Sequence, residues 1–222
     1  SYFVKYAIDQ NWINEPARVG IGILAGTILL GFAHRLRTDF KAFSSVLVAG
    51  AISVFYFTIA IAFHEYHLFS QTVAFVIMVV ITIFSCLISI SYNRLELAIL
   101  SMIGGFAVPF MLSTGEGNYV VLFTYLAILN VGILAIGFFK NWKPLKILAF
   151  LFTFLIYGAW FFKEYYWYSD MPHFGAWVFA LIFYLIFVGI SFISQIRDKT
   201  AFKPIDLGLL MLNTALFYIF SM

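Results

Sequence analysis

The sequence predicts an all-α fold: a polytopic transmembrane helical bundle of about eight spans plus a partial N-terminal one. Three observations carry that expectation. Of the 222 residues, 64% are hydrophobic and 21% aromatic but only 10% charged, against about 25% charged in a soluble domain. The charges sit in short clusters between apolar runs of about twenty residues, each long enough to cross a hydrocarbon core of about 30 Å. The runs leave hardly any polar face, which excludes a soluble helical protein with an unusually apolar core.

The elements follow in order. Ser1–Ala7 (SYFVKYA) reads as the tail of a spanning helix. It lacks the charged start and small-residue cleavage site of a signal peptide. After a polar turn, Asn14 is placed to cap a helix whose first residue is Pro16. The predicted spans are Pro16–Ala33, Phe40–Phe63, Ser70–Tyr92, Leu95–Leu112, Tyr119–Phe139, Pro144–Phe162, Pro172–Ser194 and Pro204–Met222. Short connections between them suit antiparallel neighbours. Both ends fall inside apolar runs, so the expectation is one transmembrane domain, residues 1–222, cut from a longer polytopic chain.

Alternate connections differ in charge. One set holds Arg35, Arg37, Lys41, Arg94, Lys140, Lys143, Lys146, Arg197, Lys199 and Lys203; the other holds only Lys5, Arg18 and Lys163. The positive-inside rule places the first set in the cytoplasm. Trp12, Trp160, Trp167 and Trp177 then fall at outer helix ends, as an aromatic belt requires. The single cysteine, Cys86, permits neither an intramolecular disulfide nor a cysteine-based metal site.

The most irregular stretch is Asn93–Asn118 (NRLELAILSMIGGFAVPFMLSTGEGN). Ser101, Gly105 and Pro109 recur every four residues and share a helical stripe. Pro109 has no N–H for the Gly105 carbonyl and its ring presses on that carbonyl, so the helix is expected to bend or unwind near Gly105. Gly104 extends this candidate binding or translocation segment. Asn130 and Asn213 join the same candidate set, since each lies near the middle of a span and must turn its amide into the bundle.

With the spans placed, Lys5–Gly22 (KYAIDQNWINEPARVGIG) and Gly104–Asn118 (GGFAVPFMLSTGEGN) carry a resemblance. Over about residues 1–144 the chain resembles a bacterial family of large multi-pass predicted membrane proteins of unknown function. The resemblance implies a bacterial inner membrane and a longer parent chain. It implies no substrate, cofactor or mechanism.

On the outer side the polar candidates are Arg18, His64, Glu65, His67 and Glu116. His64 and His67 would share a face on a continuing helix, but with Glu65 they do not complete a metal site, so no metal is assigned. Arg18 is read as pairing with Glu15 at a helix entrance. Gly22 and Gly26 form a GxxxG face suited to close helix packing. Glu116 is the acid of a small loop in which Gly115 ends one helix and Asn118 caps the next. No nucleotide loop, zinc-protease helix or serine elbow is present, which argues against an enzyme and assigns no cofactor. The expected partners are membrane lipids and other transmembrane helices, of the same longer chain or of partner proteins, and not nucleic acid. Two functions fit: translocation of a small molecule or lipid, and a non-catalytic structural or assembly role in the envelope. An enzyme acting on lipid-linked substrates comes third.

Overall fold

The computed structural model describes residues 14–113, 118–140, 142–167, 173–198 and 204–221. Among them are eight α-helices and no strand: α1 Glu15–Leu36, α2 Lys41–His64, α3 Gln71–Tyr92, α4 Leu95–Met111, α5 Tyr119–Phe139, α6 Lys143–Trp167, α7 His173–Asp198 and α8 Pro204–Ser221. Seven are long and apolar enough to cross a membrane, and α4 is a shorter apolar helix of 17 residues. The chain is a multi-pass membrane protein. The partial span Ser1–Ala7 and the loop acid Glu116 lie outside the described residues.

The helix ends follow local chemistry. The side chains of Asn14, Ser70 and Asn118 accept from the backbone N–H groups of Ala17, Val73 and Val120 at the starts of α1, α3 and α5. Each answers an N–H that the first turn leaves unpaired. Asn93 ends α3 in the left-handed region at φ 52°, and the Arg94 N–H closes back on the Ser89 carbonyl at 3.0 Å. Asparagine tolerates that conformation where most residues do not.

Two compact units divide the chain, Ser1–Gly115 and Glu116–Met222. In the first, α1 to α4 alternate in direction. Gly22 and Gly26 of α1 lie against Thr58 and Phe55 of α2, and Ser44 at the start of α2 donates to the Ala33 carbonyl at 2.7 Å. A Cβ on Gly22 or Gly26 would sit 2.5 Å from the facing side chain, so the GxxxG face packs helix on helix, as its small residues allow. Gly20 and Gly31 of the same helix face open space.

The buried stripe of α3 is Ala74, Met78, Thr82, Ser85 and Ser89, while Val76, Val80, Ile83, Phe84 and Leu87 are exposed. The outward residues are the more apolar ones. That is the reverse of a water-soluble helix, and it follows when lipid is the solvent and hydroxyls must find partners inside.

The second unit is held by aromatic packing. Phe123 of α5 and Tyr157 of α6 are fully buried, with ring centroids 5.1 Å apart. Phe123 meets Trp160 edge to face at 4.9 Å and Phe183 of α7 at 6.0 Å. Such pairs contribute about 0.5–1.5 kcal/mol each beyond area burial. Phe220 of α8 closes the cluster against Tyr157 and Phe161, each at 5.0 Å. The Tyr157 hydroxyl donates to the Ala176 carbonyl at 2.7 Å, as a buried phenol must.

Candidate functional site

The Gly104–Pro109 segment is part of one unbroken helix. No unwinding interrupts α4 near Gly105, and the helix runs through Pro109 and ends at Met111. The sequence expectation of an interruption rested on the local effect of proline. Pro109 withholds a single N–H, the one the Gly105 carbonyl would accept, and the neighbouring backbone bonds keep the helix continuous to Met111. Gly105 is buried and is not left without a partner.

Gly104 has a tertiary role. A Cβ there would lie 2.5 Å from Cε2, 2.9 Å from Cζ and 3.0 Å from the hydroxyl of Tyr56. The missing side chain makes the seat for that ring. Tyr56 is 5% exposed, and its hydroxyl is 2.6 Å from Thr82 Oγ1, which itself donates to the Met78 carbonyl at 2.9 Å. Thr82 has used its only proton, so Tyr56 donates. One helical turn away the same logic repeats. Ser101 donates to the Leu97 carbonyl at 2.7 Å and accepts from Ser85 of α3. Both serines are fully buried. Two hydroxyl pairs thus join α2, α3 and α4, and each is closed.

At the far end of α4 two side chains meet its last carbonyls. His64 Nε2 is 2.7 Å from the Met111 oxygen, and Gln71 Nε2 donates to the Leu112 oxygen at 2.8 Å. A carbonyl only accepts, so His64 carries its proton on Nε2. These bonds satisfy helix-end acceptors that would otherwise be orphaned. They also place the end of α4 level with the end of α2 and the start of α3. Its beginning, at Arg94, Glu96 and Leu97, lies beside Ala42 and Ser45 at the start of α2. With 17 residues α4 is about 25 Å long, yet it runs from one end of the unit to the other.

The outer candidates are rearranged accordingly. Helix α2 stops at His64, and His67 adopts φ 47°. The two histidines therefore do not share a helical face. Glu65 is exposed and serves as the C-cap of α2, its N–H returning to the Ile61 carbonyl at 2.9 Å. No group of three histidine, cysteine or acidic side chains suited to a metal ion occurs among the described residues. The Arg18 guanidinium stands 5.7 Å from the centroid of the Tyr66 ring, a cation–π approach that joins α1 to the α2–α3 connection.

In the second unit, Asn130 is fully buried and Asn213 is 1% exposed. Asn130 Nδ2 donates to the Leu126 carbonyl at 2.9 Å and to Thr153 Oγ1 of α6 at 2.8 Å. Asn213 Nδ2 donates to the Tyr184 carbonyl of α7 at 3.1 Å. Because each amide faces a backbone carbonyl, the nitrogen must be the atom there. In both residues Oδ1 is buried without a partner.

The family comparison decides the identity. The chain matches the family described as Predicted membrane protein (DUF2339) over residues 1–221. It belongs to that family. The match runs well past Pro144, where the motif resemblance ended. No match to this chain is found among curated proteins or among solved structures. The family description speaks of a membrane protein and no reaction, so for this DUF2339 member the chemistry must be read from the helices.

Those helices also hold groups that sequence reasoning missed: Tyr56, Thr82 and Ser85, the Thr153 partner of Asn130, and the Gln71 cap. One signal was available. A tyrosine or threonine in mid-span has a hydroxyl that lipid cannot satisfy.

Proposed function

We propose that this DUF2339 member is a non-catalytic structural module of the envelope, a set of membrane helices on which further transmembrane segments or partners assemble. One observation carries the reading. The buried hydroxyls and the amide N–H groups bond to one another or to backbone carbonyls within their own unit, as with Tyr56–Thr82, Ser85–Ser101, Asn130–Thr153 and Asn213–Tyr184. Groups used in this way are packing contacts, worth about 0.6 kcal/mol each on average in membranes. The charge asymmetry of the connections and the family resemblance support a bacterial inner membrane, with the basic connections in the cytoplasm.

Translocation is the second reading. The unpartnered Oδ1 atoms of Asn130 and Asn213 favour it, since a transported donor could be received there. Purified protein in liposomes separates the two. A structural module leaves proton, sodium and glycerol gradients as tight as in protein-free vesicles. A leak in wild-type vesicles that Asn130→Leu or Asn213→Leu seals would overturn it in favour of translocation.

A further inference from the structure

A groove of about 280 Å³ opens where α2 and α4 begin, lined by Ala42, Ser45, Val46, Ala49, Arg94, Glu96 and Leu97. On α2 the wall is one face, at spacings of three and four residues. Alanines at 42 and 49 leave the space that larger side chains would fill. Leu97 is buried, and the Ser45 hydroxyl is engaged with the Lys41 carbonyl at 3.0 Å. The groove is therefore apolar along its length.

Its two charges have opposite sign. Arg94, half-buried, is the N-cap of α4 and makes no side-chain capping bond; Glu96, exposed, stands in the first turn. Arg94 stands in extended backbone just ahead of the helix, at φ −121° and ψ 113°, and among the described residues no ion pair joins Arg94 to Glu96 or holds either of them. The groove presents a cation and an anion that are not paired with each other, above an apolar wall and at the end of the membrane helices. That arrangement is complementary to a zwitterion with a tail.

We propose that this groove binds a phospholipid with an ethanolamine headgroup, its phosphate on Arg94, its ammonium on Glu96 and the start of an acyl chain along Ala42, Val46 and Ala49. The guanidinium fork matches two phosphate oxygens. A primary ammonium donates three hydrogen bonds to a carboxylate. A choline headgroup has no N–H to donate, and a glycerol headgroup brings no cation to Glu96. The proposal does not depend on the structural reading above, since a lipid site suits a module or a translocator.

The test uses the delipidated full chain in detergent and native mass spectrometry with short-chain phosphatidylethanolamine, phosphatidylcholine and phosphatidylglycerol, and with inorganic phosphate. The ethanolamine lipid should bind about tenfold more tightly than either other lipid, the effect of one charge-assisted hydrogen bond. Arg94→Gln should weaken that lipid about tenfold, while Glu96→Gln should erase the preference over choline. Ala49→Phe fills the wall without touching either charge and should also weaken binding, with the thermal midpoint confirming a folded protein. Tighter binding of phosphatidylglycerol, strengthened by Glu96→Gln, would overturn the proposal in favour of an anionic headgroup. Equal binding of all three lipids, or phosphate binding as tight as lipid, would overturn it as well.

Discussion

Replacing Gly104 by alanine probes the packing that the first unit depends on. The new Cβ would lie 2.5 Å from the Tyr56 ring, so the ring or α4 must move. Overpacking of this kind costs about 1–3 kcal/mol. Displacing the ring also breaks the 2.6 Å Tyr56–Thr82 hydrogen bond, about 0.6 kcal/mol in measured membrane cases. Against this, alanine improves helix propensity over glycine by about 1 kcal/mol. The net expectation is a loss of roughly 0.5–2.5 kcal/mol. Reversible unfolding in mixed micelles measures it, and a double-mutant cycle isolates it. In a Tyr56→Leu background the clash with the ring is gone, so Gly104→Ala should become neutral or stabilising. The coupling between the two sites should be about 1 kcal/mol or more, the range for residues in contact. Equal effects of Gly104→Ala in both backgrounds would refute the assignment of Gly104 as the seat of Tyr56.

Other outcomes follow from the same contacts. Gly22→Ala and Gly26→Ala should each destabilise the α1–α2 pair, while Gly20→Ala and Gly31→Ala, which face open space, should not; unfolding midpoints separate the pairs. His64→Ala with Gln71→Ala removes both donors to the last carbonyls of α4, so hydrogen exchange should accelerate over residues 108–113 and leave residues 97–105 protected. Asn130→Leu loses the bond to Thr153 but also removes the unpartnered Oδ1. Its cost, read from the same midpoints, should stay below about 1 kcal/mol.

Much of the fold was legible because lipid imposes a simple rule, and the misses fall where that rule is silent. Tyr119–Phe139 was bounded to the residue, since Asn118 supplies a cap and Lys140 a charge at its two ends. The apolar run of the sixth helix ends at Phe162, but the helix continues to Trp167. Hydropathy marks where the apolar run ceases, while the backbone goes on pairing through Lys163 and Glu164. A mid-span amide must face inward, and Asn130 and Asn213 are buried. Their partners could not be read, because Thr153 and Tyr184 become partners only once helices pack. The same reason hid the hydroxyl pairs of α3: Thr82 and Ser85 share one face of the helix, but Tyr56 and Ser101 become their partners only once the helices pack. Local propensity alone makes Gly104 and Pro109 look like an interruption. The ring of Tyr56, 48 positions earlier in the sequence, supplies the actual reason for the glycine.

The alternation of the first unit depends on α4 crossing the membrane despite its 17 residues. Single cysteines at positions 65, 94 and 113, introduced after Cys86→Ala, can be labelled with a membrane-impermeant reagent from either face of sealed vesicles. Positions 65 and 113 should react from one face and position 94 from the opposite one. Reaction of positions 94 and 113 from the same face would mean that α4 does not cross the membrane.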